Sequence, residues 1–350
     1  MDLKSCWLTL NRNCNLRCEW CYAQNSNFSK DKDMPLSMAT ALIDICIENN
    51  IQNFTLIGGE PTLHQNFFDI VKYIADKNCY TSIVTNGVIL KDKFFCDKLK
   101  ALDKGKLRLG ISLKGSTNND YKIHCGKNAF ESVLQGIENC REKQLQFSLS
   151  YVLSSESIRD IEIFAEQIRN RGIKERIVFS FCNDVLLENE EVLATNSLHP
   201  LEINKILSEK YETLNTILEG NFVLHQSLPL CMCNEIVLDK MAEKSQAKTT
   251  CHVHNRTGVV FDTDGTILLC NHFAGYGIGQ YKKDYWDAKS FKDYWNSEYL
   301  TGLYKKLVYL PSVECEQCDI LSVCKGGCCI QWISHTFESY KSKYLSLTNK

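Results

Sequence analysis

Short apolar runs alternate with longer amphipathic stretches through the first half of the 350-residue chain. Runs rich in β-branched and aromatic residues predict strands at 7–10, 54–57, 81–85, 107–112, 146–152 and 176–181. Between them, apolar residues recur every three to four positions near 36–49, 66–78, 91–102, 128–144 and 157–171, and again near 200–219, which predicts helices. Asp33 with Pro35 marks a helix start and Gly172 a helix stop. Alternation of this kind builds a parallel sheet wound with helices, here a partial (β/α)6 barrel in the α/β class, because six units are too few to close eight strands. In such folds the chemistry gathers at the C-terminal ends of the strands. Those ends are polar in this chain, reading Thr85-Asn86-Gly87 and Ser112-Leu113-Lys114-Gly115. Strand five sets Phe147, Leu149 and Tyr151 against Ser148, Ser150 and Val152, which turns hydroxyls to one side.

The pattern changes after residue 182. A bridge of mixed character leads to a second unit, so the expected domains are 1–225 and 226–350. Near its start lies Leu228-Pro229-Leu230-Cys231-Met232-Cys233, and further on Gly258–Phe261 turns through Asp264-Gly265 into Thr266–Leu269, a hairpin signal. The net charge of −2 comes without a concentrated Lys/Arg stripe, which speaks against a nucleic-acid partner. No stretch reaches the roughly 18–20 apolar residues of a membrane span, and Asp2 and Lys4 lead straight into a strand without a signal-peptide layout. These features fit a cytoplasmic protein. Nineteen cysteines are too many for an ordinary cytoplasmic enzyme and ill-placed for a disulfide scaffold, so they read mainly as ligands, in a cell that is anaerobic or strongly reducing.

The sharpest chemical signal is Cys14-x3-Cys18-x2-Cys21, placed directly after the first strand. Three thiolates on one loop can hold three irons of a cubane and leave the fourth open to a small molecule, whereas a structural zinc site needs four ligands, usually as two separated pairs. The run Asn11 to Tyr22, with Trp20 before the last cysteine, resembles the cluster loop of the radical S-adenosylmethionine (SAM) enzymes. A second motif, Gly58-Gly59-Glu60-Pro61, ends an apolar strand. Glycines there let a backbone approach a ligand closely, and Glu60 can accept hydrogen bonds from an ammonium group. The resemblance implies that Cys14, Cys18 and Cys21 hold a [4Fe–4S] cluster and that Gly58, Gly59 and Glu60 bind the amino group of SAM. It further implies a 5′-deoxyadenosyl radical as the reactive species. Trp20, Asn86, Ser112, Lys114 and Ser150 are the other candidate contacts to SAM, with Ser112 and Lys114 assigned to its carboxylate or ribose.

The C-terminal array reads Cys251-x13-Gly265-x4-Cys270 and then Cys315-x2-Cys318-x5-Cys324-x3-Cys328. A hairpin with cysteine pairs would equally suit a zinc ribbon. Together with the N-terminal motif the spacing resembles the SPASM domain, which carries auxiliary [4Fe–4S] clusters. That resemblance implies one or two such clusters: Cys251, Cys270 and Cys328 on the first with Cys231 or Cys233 as fourth ligand, and Cys315, Cys318 and Cys324 on the second. The downstream cysteine that usually closes the second set is absent after Cys329. Its iron is then expected to be open or held by His335, Cys329 lying too close to Cys328. Cysteines 6, 46, 79, 96, 125, 140 and 182 stand singly and read as small buried hydrophobes. Among them Cys125 is a candidate for returning a hydrogen atom to a substrate radical, and Lys114 and His272 complete the catalytic candidates.

The resemblance implies hydrogen abstraction from a peptide or protein side chain, as in the maturation of ribosomal peptides, with flavodoxin or ferredoxin as electron donor. The ending Gly326-Gly327-Cys328 is familiar from such maturases. Two departures stand against it: the chain begins at its first strand, without the N-terminal peptide-recognition module many maturases carry, and Ser112-Leu113-Lys114-Gly115 replaces a Ser-x-Asp-Gly run. Sulfatase maturation is a less favoured form, because Asn271 stands where that family has an acid and an amide is no general base. Oxidation or rearrangement of a sugar or nucleoside is the alternative. A non-catalytic iron–sulfur sensor would have no use for Glu60.

Overall fold

The computed structural model describes residues 2–23, 29, 31–186, 192–193, 196–225, 227–248, 251–274, 276–308 and 310–335. The chain packs as two compact units, each discontinuous: Met1–Leu149 with Arg256–Lys305, and Ser150–Asn255 with Lys306–Lys350.

In the first unit the strands β1 (Ser5–Thr9), β2 (Asn53–Ile57), β3 (Tyr80–Thr85) and β4 (Leu107–Leu113) lie side by side in chain order. The first three pairings are parallel, with Trp7 opposite Thr55, Leu56 opposite Ile83 and Val84 opposite Gly110. Alternation sets the faces: Leu107, Leu109, Ile111 and Leu113 of β4 are buried, while the residues between them are half-buried or exposed. The helices α1 (Leu36–Glu48), α2 (Phe67–Asp76), α3 (Lys93–Leu102), α4 (Asn118–Cys125) and α5 (Phe130–Glu142) connect them. In α2 the buried set is Phe67, Ile70, Val71 and Ile74, one helical stripe worth about 1.5–3 kcal/mol per side chain buried. The α1 start differs from the sequence expectation: Pro35 occupies the cap position without a side-chain hydrogen bond, and Asp33 lies before it with a buried, unpartnered oxygen. The helix α4 was not foreseen. Its eight residues are weakly amphipathic, and a Thr117–Asp120 capping box, rather than an apolar stripe, starts it.

The hairpin Gly258–Phe261 and Thr266–Leu268 forms as the Asp-Gly signal requires, with Gly265 at φ +83°. It does not stand apart in a C-terminal module. Gly258–Phe261 pairs in parallel with β1, Trp7 opposite Val260, so the hairpin and a further strand, Gly277–Gln280, extend the sheet of the first unit.

The second unit contains the end of β5 (Phe147–Leu153), β6 (Ile177–Phe181) and a parallel neighbour of β6, Phe222–Leu224. This last short strand was not read from the sequence. The helices α6 (Ile161–Asn170), α7 (Pro200–Ile217) and α8 (Glu235–Glu243) pack here, and Tyr151 of β5 stacks on Phe164 of α6 at 3.9 Å between ring centroids. The rest of the unit is made of short turns that carry cysteines. No helix among the described residues is long and apolar enough to cross a membrane.

Candidate active site and cysteine array

Three strand ends and one loop build the N-terminal site. The loop Asn11–Tyr22 leaves the end of β1 and is fastened to the turn after β2 by backbone hydrogen bonds, Gly59 N to Asn11 O and Glu60 N to Asn13 O, both 2.8 Å. The glycine pair is explained by this contact. A Cβ on Gly58 would lie 2.3 Å from Asn11 Oδ1, and one on Gly59 would lie 2.4 Å from the Asn13 carbonyl oxygen. The missing side chains thus make room for the cluster loop itself. Tyr22 donates to the Gly58 carbonyl at 3.0 Å, and the buried Arg12 pairs with Asp262 of the hairpin turn.

Glu60 is 2% exposed. Its Oε1 accepts from the Thr62 hydroxyl and the Thr85 hydroxyl, each at 2.7 Å, and Oε2 accepts from the Asn86 backbone N–H at 2.7 Å. Burial pushes this carboxyl up from its ordinary range, and the hydrogen bonds from Asn86, Thr62 and Thr85 oppose that rise. Asn86, at the end of β3, also donates to Asn15 Oδ1 at 2.7 Å and reaches Cys14 Sγ at 3.9 Å. A single residue therefore ties the Glu60 carboxylate to the cysteine loop. Thr62, Thr85 and Asn15, as partners in this network, were missed at the sequence level because each is an ordinary polar residue until the fold brings it to Glu60 or Asn86.

The other side of the loop docks on α4. Arg17 N donates to Cys125 O at 3.0 Å and Glu19 N to His124 O at 3.1 Å, while the His124 ring accompanies Trp20 at 5.4 Å and its Nδ1 lies 2.8 Å from Glu19 Oε1. Cys125 is fully buried against Cys18. A hydrogen bond from Cys125, aided by the Lys114 ammonium, brings the Cys18 thiol down to about 6, whereas burial pushes Cys14 up to about 11 and Cys21 up to about 12. Lys114, buried at the end of β4, favours the thiolate of all three loop cysteines. His272 stands 6.3 Å from the Tyr22 ring, which places it on the same side of the unit as the loop. Ser112 is half-buried two residues before Lys114, and Ser150 lies in the second unit.

In the second unit the cysteines form two groupings. Cys328 is raised to about 12 by burial and then by Cys251, so these two are neighbours. Cys231 is raised to about 11 by burial and then by Cys324, Cys315 and Cys318. Cys270 belongs to the first unit, at the end of the hairpin. His335, the candidate iron ligand, has its Nε2 3.2 Å from Ser197 Oγ and its ring 5.2 Å from that of His199. Among the described residues no three His, Cys, Asp or Glu side chains are gathered on a single point as one metal ion would need. Thiolates bound to separate irons of a cubane have no such requirement, and a donor set of thiols fits an iron–sulfur cluster.

The sequence model of the Radical SAM superfamily matches residues 8–168, which takes in the cysteine loop, the Gly-Gly-Glu-Pro turn and both α4 and Lys114. The chain belongs to the radical SAM superfamily. It is 24% identical over 341 residues to the Fe-coproporphyrin III synthase of Methanosarcina barkeri, covering 91% of this chain and 81% of that one. It is 23% identical over 333 residues to a cysteine-type anaerobic sulfatase-maturating enzyme of Clostridium novyi, covering 90% and 85%. Among solved structures, Streptococcus suis SuiB bound to its precursor peptide SuiA superposes with a TM-score of 0.71 at 16% identity, over 96% of this chain and 74% of that one. The fold is thus that of the radical SAM partial barrels, and the family match gives SAM and an iron–sulfur cluster as cofactors of this enzyme. When bound, the reduced cluster and SAM together supply a 5′-deoxyadenosyl radical. The chain itself gathers three thiols on one loop near Lys114 and fixes the buried Glu60 carboxyl through Thr62, Thr85 and Asn86.

Proposed function

We propose that this radical SAM enzyme abstracts hydrogen from a peptide or protein side chain and so carries out a post-translational modification. The observation that carries the reading is the extent of the match. The sulfatase-maturating relative and the peptide-bound SuiB structure align with nine-tenths or more of the chain, well beyond the radical SAM domain at residues 8–168. In this reading Cys14, Cys18 and Cys21 hold the SAM cluster, Glu60 accepts from the SAM ammonium, and Trp20, Asn86, Ser112, Lys114 and Ser150 serve the rest of SAM. Cys125, buried against Cys18, is better placed to tune the cluster than to meet a substrate. A flavodoxin or ferredoxin delivers the electron, in the cytoplasm.

The relative named for a tetrapyrrole supports the second reading, a small-molecule substrate. The two separate in one assay. Anaerobically reconstituted enzyme with SAM and reductant is given peptide pools or metabolite pools, including tetrapyrroles and nucleosides. Peptide modification predicts 5′-deoxyadenosine release above the substrate-free rate, with a mass change in a peptide. Stimulation by a metabolite pool alone would replace the proposal with its rival.

A further inference from the structure

We infer that Cys231 supplies the fourth thiolate of the cluster held by Cys315, Cys318 and Cys324, so that this cluster is closed from upstream of the array. The inference needs iron–sulfur loading of the array and is independent of what the substrate is.

Tight turns collect the first three thiols. Cys318 N donates to Cys315 O at 3.2 Å and Cys324 N to Ile320 O at 2.9 Å, so the three cysteines wind around a short path. The segment carrying Cys231 is pinned to that path on both flanks. On one side the backbone N–H of Leu230 points at Cys324 Sγ at 3.3 Å, and Pro229 sits so close to Gly327 that a Cβ there would meet Pro229 Cδ at 2.7 Å. On the other side Met232 joins Trp332 and Leu201 in one buried cluster, and Trp332 Nε1 donates to the Gly326 carbonyl at 2.7 Å. Gly326 and Gly327, both at positive φ, are thus the hinge against which the Cys231 turn is pressed.

Between these anchors lies Cys231, one residue after the Leu230 N–H that points at Cys324 Sγ and one before the buried Met232, and its thiol is raised by burial and then by Cys324, Cys315 and Cys318. Each competing ligand has another contact, and of the array's three thiols only Cys324 acts on Cys233. The Cys233 thiol donates to the Pro229 carbonyl at 3.5 Å and lines an apolar cleft with Leu207, Leu238 and Met241. His335 faces Ser197 and His199, and Cys328 faces Cys251. Four protein thiolates leave no iron of this cluster for a substrate, which makes it an electron relay.

The test uses the full chain with Cys14, Cys18 and Cys21 replaced by alanine, reconstituted anaerobically so that the remaining iron is auxiliary. Adding Cys231→Ser should change the same electron paramagnetic and Mössbauer signal that Cys315→Ser changes, or remove about four irons per chain. Cys233→Ser should leave that signal as in the parent. An unchanged signal in Cys231→Ser, or a change in the signal that Cys328→Ser affects, overturns the assignment. The unmutated holoprotein gives an answer free of folding effects. Alkylation followed by mass spectrometry should find Cys231 protected together with Cys315, Cys318 and Cys324, and all four labelled once iron is chelated. Labelling of Cys231 while the other three stay protected would equally defeat it.

Discussion

The two cysteine sites are built by different means. The N-terminal one takes its thiols from eight consecutive residues, Cys14 to Cys21, and takes its surroundings from the ends of β1, β2, β3 and β4 together with α4. Regular structure fixes that site, and a buried polar network of Glu60, Thr62, Thr85 and Asn86 locks it. The C-terminal array has little regular structure around it. Its thiols ride on turns of three to five residues, positioned by Pro229 against Gly327 and by Met232 against Trp332. The contrast predicts that the sheet-held site forms without iron, whereas the turn-held one draws stability from the metal. Each of the following measurements sharpens or breaks that contrast, from the largest effect to the smallest.

Replacing Cys14, Cys18 and Cys21 together should abolish SAM cleavage while the auxiliary iron stays bound. If 5′-deoxyadenosine still forms, or if all iron is lost, the two sites are not independent.

Glu60→Gln should weaken SAM binding by about one to two decades, the value of a charge-assisted hydrogen bond of roughly 1.5–3 kcal/mol, with cluster content little changed. Equilibrium binding of SAM checks this, and an unaltered dissociation constant removes Glu60 from the SAM site. The variant also places an amide against the Asn86 N–H, so thermal stability should be read in parallel.

Gly59→Ala should cost about 1–3 kcal/mol by overpacking, because the new methyl meets the Asn13 and Arg12 carbonyls at 2.4 and 2.5 Å. Gly302→Ala, with nothing within 4 Å and a position inside the helix Glu298–Leu307, should stabilise by roughly 0.5–1 kcal/mol instead. Denaturant midpoints for the two variants that move in the same direction would refute the packing explanation of the glycine pair.

In the metal-free protein Cys18 should be the most readily alkylated of the loop cysteines. Its thiolate forms as pH rises through about 6, while Cys14 at about 11 and Cys21 at about 12 remain protonated at neutral pH. Cys125→Ala removes the main cause of the lowered value, so the alkylation profile of Cys18 should move to higher pH. A profile that stays in place would mean that Lys114 alone sets the reactivity.

The smallest effect is expected at His335. With its ring committed to Ser197 and His199, His335→Ala should leave the auxiliary-cluster spectra as they are. A spectral change would restore it as an iron ligand.

Local signals carried much of this protein. Periodicity located β1 to β6 and the helices between them other than α4 to within a few residues, because a buried parallel sheet imposes its alternation on the sequence. The spacing of Cys14, Cys18 and Cys21 named the chemistry, since all three ligands lie within one loop and sequence distance there is nearly spatial distance. Contacts between distant segments were decided only by the tertiary structure. The glycines of the Gly-Gly-Glu-Pro turn read as a place for a ligand to approach, and the fold fills that space with the backbone of Asn11–Asn13. Pairing of Gly258–Phe261 with β1 moved the hairpin into the first unit, and α4 formed on a capping box that apolar periodicity does not report. The grouping of Cys231 with cysteines more than 80 residues downstream arises from a proline packed on a glycine and a methionine packed on a tryptophan. Packing of that kind is non-directional and leaves no period or spacing in the chain, so only the folded structure reveals which thiols it brings together.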